Sequence, residues 1–168
     1  MKKFELIIGT LVIISLLYKL LFSTELNTLF IISLISLSLF YLYFSFLYFN
    51  NIPIKKAFKK DSYNGITKWE IYGSIGLGFG LSFTCLGILF SIMRWPMNLY
   101  NEIGILVLIV IGIVGLIKFK TNKTTNLKKS LIRILVIGGI GSIIWLTQND
   151  TVKDILKLEN PIETSIES

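Results

Sequence analysis

One stretch, residues 71–118, constrains the fold more than any other part of the chain. It contains an apolar run of 23 residues (IYGSIGLGFGLSFTCLGILFSIM), a short polar segment (RWPMNLYNE) and a second apolar run (IGILVLIVIGIVGLI). Neither run contains a charged residue. Two such runs in succession are long enough to cross a bilayer, and in lipid the backbone must satisfy its own hydrogen bonds. The stretch therefore predicts a transmembrane helical hairpin.

Three further apolar runs extend this prediction to the whole chain. Together the runs predict an all-α, polytopic transmembrane bundle of five helices within a domain of residues 1–147. The first run follows two lysines but is longer than the apolar part of a signal peptide, so we expect an uncleaved helix. Residues 148–168 read as an acidic tail with one short helix. The predicted helices lie at about 4–22, 29–49, 71–93, 103–117 and 131–147.

The distribution of basic residues predicts the orientation. Thirteen of the 17 Lys and Arg residues lie in three segments, 2–3, 55–68 and 118–133, which alternate with poorly charged turns. Cytosolic loops of membrane proteins are enriched in Lys and Arg. We therefore expect a multi-pass protein of the bacterial inner (plasma) membrane, with its N-terminus in the cytosol and its C-terminus outside. The net charge of +7 then indicates a lipid partner and not a nucleic acid.

Within the loop at 50–70, apolar residues at helical spacing alternate with lysines. This pattern predicts a short amphipathic helix that lies on the membrane surface, with its lysines on lipid headgroups. The residues predicted to bind lipid headgroups are Lys55, Lys56, Lys59 and Lys60.

Small residues recur at helical spacing in two of the predicted helices. Because small residues let helix backbones approach closely in lipid, we expect them to be packing positions. The helix that packs against these positions lies either in the same chain or in another subunit. That other subunit would be a different membrane protein or a second copy of this chain. The predicted packing positions are Gly73, Gly76, Gly80, Thr84, Gly87 and Ser91 in the third helix and Gly138 and Ser142 in the fifth.

The residue types present exclude most chemistry. The chain has no histidine and one cysteine, Cys85, so it has no intrachain disulfide and no clustered metal ligands. We found no motif for an enzyme and predict no cofactor. The favoured function is a non-enzymatic structural or accessory subunit of an envelope assembly. The alternatives are a small transporter or channel subunit and a membrane immunity or regulatory protein. A transport path would need polar groups, and the candidates are Ser33, Ser36, Ser38, Ser45, Ser82 and Thr84.

The end of the third helix, residues 89–96 (LFSIMRWP), resembles a pattern close to LFKIxHWPG. That pattern is found in small inner-membrane proteins of Bacteroidetes, among them GldL, the stator-like motor subunit of gliding motility and type IX secretion. The resemblance covers the hairpin alone, from Tyr72 and Gly73 onward. It implies an extracytoplasmic turn formed by Arg94, Trp95 and Pro96, and a place in an envelope assembly.

The chain departs from this pattern where the motor needs a titrating group. Ser91, Arg94 and Met97 stand at the pattern's Lys, His and Gly positions. The second hairpin helix of the motor subunit has a glutamate at mid-membrane depth, whereas residues 109–116 contain no ionisable side chain here. Proton-driven motion needs such a group, so the resemblance implies the hairpin and not the motor activity.

Overall fold

The computed structural model describes residues 1–22, 27–63, 65–95, 99–121 and 125–148. These residues are helical or lie in turns, and they contain no strand. A π-helical segment, Ile134–Gly138, joins the helices Thr125–Arg133 and Gly139–Gln148 into one continuous helix. We call this continuous helix, residues 125–148, the last helix. The predicted tail helix falls outside the described residues. The helices are α1 (Lys2–Phe22), α2 (Asn27–Phe49), α3 (Lys68–Ile92), α4 (Leu99–Thr121), α5 (Thr125–Arg133) and α6 (Gly139–Gln148).

Four helical spans in the described part of the chain are long and apolar enough to cross a membrane, which makes this a multi-pass membrane protein. They are Thr28–Phe49, Lys68–Ile92, Leu99–Thr121 and Leu127–Thr147. The other long helix, α1, has 21 residues. The helices extend beyond the predicted apolar runs, most clearly in α4, which has four more residues at each end than the predicted 103–117. Helical hydrogen bonding continues through the flanking residues at both ends, and at the C-terminal end these include Lys118 and Lys120, since lysine is a good helix former.

The third helix, α3, is the centre of the bundle and packs between α2 and α4. In its apolar span 61% of the residues are buried inside the bundle, against 6% in the span of the last helix. Ser38 of α2 and Ser82 of α3 join the two helices through a hydrogen bond of 2.7 Å between their hydroxyls. The glycine-rich helix is therefore enclosed by its own chain.

The connection between α2 and α3 differs from its prediction. Two short 3₁₀ turns, Ile54–Lys56 and Lys60–Tyr63, occupy the place of the expected amphipathic α-helix. Pro53 precedes the first turn, and Gly65, with a φ of +87°, follows the second. The stretch between these two breaks is too short for a stable α-helix, because nucleating one is costly.

Candidate functional site

The first cluster of polar side chains joins α1, α2 and α5. The guanidinium of Arg133 donates to the carboxylate of Glu5 twice, from Nε to Oε1 at 2.5 Å and from Nη2 to Oε2 at 2.7 Å. Tyr41 donates its hydroxyl to Oε1 at 2.8 Å, and Tyr48 donates to Oε2. We call Glu5, Tyr41, Tyr48 and Arg133 the charged junction.

The charged junction is largely shielded and its polar groups are paired. The side chains of Glu5 and Arg133 are 14% and 20% exposed. Nη1 of Arg133 donates to the carbonyl of Lys129 at 3.0 Å, and the guanidinium lies 5.0 Å from the ring centroid of Tyr48. Bidentate pairs of this kind are among the strongest polar contacts in proteins. The arrangement holds α1 against the last helix and leaves the carboxylate with four donors.

Sequence reasoning missed this pair. The two residues are 128 positions apart, so no local pattern connects them. A signal was nevertheless present, because the predicted topology places the start of the first helix and the start of the last helix at the same end of the bundle. A charge inside an apolar span also calls for a partner.

The second cluster joins α3, α4 and α6 through glycines. A β-carbon added at Gly104 would lie 2.5 Å from the backbone nitrogen of Thr84, and one added at Gly141 would lie 2.5 Å from Cγ2 of the same residue. A β-carbon at Gly87 would overlap Cα of Asn101 and lie 2.6 Å from its nitrogen. We call these five residues the small-residue junction. No larger residue fits at its three glycines unless the helices move apart.

Asn101 is the polar centre of the small-residue junction. It is fully buried, and its Nδ2 donates to the carbonyl of Gly141 at 3.0 Å. Its Oδ1 has no hydrogen-bond partner among the residues that the structure describes. The hydroxyl of Thr84 donates to the carbonyl of Gly80 at 2.8 Å. The junction is neutral, and it depends on close backbones more than on hydrogen bonds.

The predicted packing positions divide into two groups. Gly76, Gly80 and Gly87 face α4, Gly138 packs near Leu108 of α4, and Thr84 and Ser91 are buried. Gly73 is different, because it is exposed and an added β-carbon would meet nothing within 4 Å. Ser142 is only half-buried.

Three glycines that the prediction left out, Gly78, Gly104 and Gly141, make close contacts. Gly78 lies against Ser45 and the carbonyl of Tyr41 in α2, and Gly141 lies in the small-residue junction. Gly78 is on the opposite face of α3 from the predicted stripe. Because α3 has a neighbour on each side, it has small residues on both faces.

Four of the six hydroxyls proposed as a transport path, those of Ser33, Ser38, Ser82 and Thr84, form hydrogen bonds within the helices or between them. Ser33 donates to the carbonyl of Phe30 at 3.0 Å, and Ser38 bonds to Ser82. Hydroxyls commonly connect helices in this way. These contacts fit a packing role for the side chains.

The predicted hairpin turn begins with a helix stop of defined geometry. Arg94 has a left-handed backbone, with a φ of +55°, and its N–H donates to the carbonyl of Ser91 at 3.1 Å. The N–H of Trp95 donates to the carbonyl of Phe90 at 2.8 Å, and the two rings lie 5.6 Å apart. These bonds and this apolar contact define a Schellman motif. Pro96 lies outside the described residues.

The end of α2 has the same Schellman geometry, although its sequence does not resemble the LFKIxHWPG pattern. Asn51 has a φ of +54°, and the N–H of Ile52 donates to the carbonyl of Leu47 at 2.8 Å. Pro53 follows, as Pro96 follows Trp95. Part of the LFSIMRWP pattern is therefore explained by how the helix stops, since Phe90 and Trp95 are the two residues in contact there.

The comparisons with known proteins add no family. No family model matches the chain, and no curated protein or solved structure matches it. The likeness to the motor subunit therefore stays a prediction. Within the described residues no group of three or more Cys, Asp or Glu side chains is placed to hold a metal ion.

Proposed function

We propose that this chain is a non-enzymatic, five-helix protein of the bacterial inner membrane that serves as a structural or accessory subunit of an envelope assembly. One observation supports it most. The glycine-rich α3 is covered by its own chain, whereas only 17% of the α4 span and 6% of the last span are buried. In this proposal the outer face of α4 and the last helix contact the partner, and the glycine stripe of α3 does not.

Site-specific photo-crosslinking in native membranes tests this proposal. A photoreactive residue at Val110 or Val114, both exposed on α4, should give a protein adduct of defined mass. Tyr43, which is exposed on α2, is the matched control and should give lipid adducts alone. Lipid adducts at all three positions would contradict the subunit proposal. A protein adduct at Tyr43 alone would move the interface to α2.

The proposed orientation rests on which helix ends lie together. Contacts join the start of α1 to the end of α2 through Glu5 and Tyr48, and the start of α3 to the end of α4 through Glu70 and Lys118, 3.6 Å apart. Most lysines belong to this end, which the positive-inside rule assigns to the cytosol. Alkaline phosphatase fused after Asn98 should be active and after Thr124 inactive. The opposite pattern would reverse the orientation.

A second candidate, a small transporter or channel subunit, is favoured by the charged junction. Ionisable side chains inside a membrane bundle often belong to solute or ion paths. Purified protein in vesicles would then give ion or solute flux above that of empty vesicles, and Arg133→Gln would remove it. Flux equal to that of empty vesicles over a broad panel would leave the structural role.

A further inference from the structure

The connection between α2 and α3 is a folded platform. The side chain of Ile52 is buried, and the ring of Tyr63 stacks on that of Phe46 in α2, with centroids 5.7 Å apart and planes 9° from parallel. The hydroxyl of Tyr63 donates to the carbonyl of Ala57. These contacts fix the two 3₁₀ turns to the end of α2. We call residues 52–63 the platform.

The platform exposes apolar and basic side chains together. Phe58 is fully exposed, and Ile54 is also exposed. Lys55, Lys56 and Lys59 are exposed beside them, and they form no ion pair with the part of the chain that the structure describes. An exposed phenylalanine among unpaired lysines needs a surface that offers apolar contact and negative charge at the same place.

The residues around the platform also call for a surface that offers apolar contact and negative charge. Trp69, in the first turn of α3, is 82% exposed. Residues 52–69 contain five lysines and one aspartate. The two glutamates near this end, Glu5 and Glu70, are already paired with Arg133 and Lys118. The platform therefore lacks an internal source of negative charge large enough to balance its lysines.

We propose that the platform binds anionic phospholipids, with Phe58 in the boundary between headgroups and acyl chains and with Lys55, Lys56 and Lys59 on the phosphates. An aromatic ring and lysines at the boundary are the combination that binds anionic membranes. A nucleic acid or an acidic protein would match the charge but would not explain Phe58 and Ile54 beside the ends of membrane helices. The inference requires a membrane-embedded chain, and it is independent of the partner on α4 and of which end faces the cytosol.

Tryptophan quenching by brominated lipid tests the proposal directly. The variant Trp95→Phe/Trp145→Phe retains Trp69 as the reporter beside the platform. It is placed in vesicles of equal phosphatidylglycerol and phosphatidylcholine, with bromine on one lipid or the other. We expect brominated phosphatidylglycerol to quench Trp69 about twofold more than brominated phosphatidylcholine, because each lysine near a surface favours anionic lipid. Equal quenching by the two lipids would overturn the proposal.

Matched variants separate the platform from the general basic charge. Lys55→Gln/Lys56→Gln/Lys59→Gln should bring the quenching ratio close to one, while the same three positions changed to Arg should preserve it. The control Lys120→Gln/Lys128→Gln/Lys129→Gln, which removes the same charge at the α4–α5 connection, should also preserve it. An equal fall in both glutamine triples would contradict a platform-specific site.

Two further measurements complete the test. A variant with Trp145 as its single tryptophan reports on the opposite end of the bundle, and it should show a ratio near one in the original chain and in both glutamine triples. A photoreactive residue at Phe58 in native membranes should give lipid adducts. Adducts with a protein there would assign the platform to a protein partner and overturn the lipid proposal.

Discussion

The last helix is held to the bundle at two places of opposite chemistry. At the charged junction, Arg133 reaches Glu5 with a long side chain, and the carboxylate accepts four hydrogen bonds. At the small-residue junction, Gly141 lies against Thr84 and Asn101, with one hydrogen bond and one oxygen that no described residue satisfies. The two attachment points on the last helix are eight positions apart.

The difference shows how a helix with little buried surface can keep a defined position. Apolar burial gives little drive between helices in lipid, so hydrogen bonds and close packing must hold them. A long charged side chain tolerates small shifts of the backbone but is costly if its partner is lost. A glycine contact has no charge to lose, yet it tolerates almost no added volume. Each junction should therefore fail in its own way.

The largest effect is expected from Arg133→Ala, which leaves the largely shielded carboxylate of Glu5 without its counter-charge. Removing one partner of a buried ion pair typically lowers the free energy of unfolding by about 3–5 kcal/mol. Reversible unfolding in mixed micelles, followed by helical circular dichroism, measures the change. The neutral double variant Glu5→Gln/Arg133→Gln should lose clearly less. Equal losses in the single and double variants would show that the unpaired carboxylate of Glu5 carries no penalty of its own.

The next effect is expected at Gly87, where a methyl group would overlap the backbone of α4 at Asn101. Gly87→Ala should lower the free energy of unfolding by about 1–3 kcal/mol, the usual cost of overpacking. Gly73→Ala is the matched control in the same helix, because its β-carbon meets nothing within 4 Å. Alanine there should stabilise by up to about 1 kcal/mol. The same unfolding assay decides, and a loss at Gly73 equal to that at Gly87 would contradict the packing argument.

The contrast between the junctions also marks what sequence could predict. The stripe through Gly76, Gly80 and Gly87 was visible because the 3.6-residue period places these residues on one face. Its partner helix was left open, since periodicity describes a face and not what covers it. The pairing of Glu5 with Arg133 depends on tertiary structure, and it was missed. The multi-pass, all-helical class followed from apolar length alone.

A smaller effect is expected from Asn101→Ala in the small-residue junction. The variant loses the hydrogen bond to Gly141 but also removes the unsatisfied Oδ1. Interhelical hydrogen bonds in membranes contribute about 0.6 kcal/mol on average, so the net loss should be about 1 kcal/mol or less. The unfolding assay measures it beside Arg133→Ala. A loss as large as that of Arg133→Ala would mean that this junction depends on its amide and not on its glycines.

The smallest effect is expected from a change that would usually be severe, the deletion of Val136 from the π-helical segment. This segment lies between the two junctions and holds one residue more per turn than an α-helix would. After the deletion, Arg133 and Gly141 would be seven positions apart, about two α-helical turns of 3.6 residues. Both would then lie on one face of a regular helix, so both junctions would remain and the free energy of unfolding would change by less than about 1 kcal/mol.

Deletion of Ile143 is the control for this prediction, because it lies beyond both junctions and leaves the π-helical segment in place. It would rotate Trp145 by about 100° and break its hydrogen bond of 3.2 Å to Glu102. We expect it to cost more than the deletion of Val136 in the same assay. If the deletion of Val136 were the more damaging, the π-helical segment would not be the element that sets the register between the two junctions. The position of the last helix would then depend on contacts along its whole length, which would be unexpected for a helix with so little buried surface.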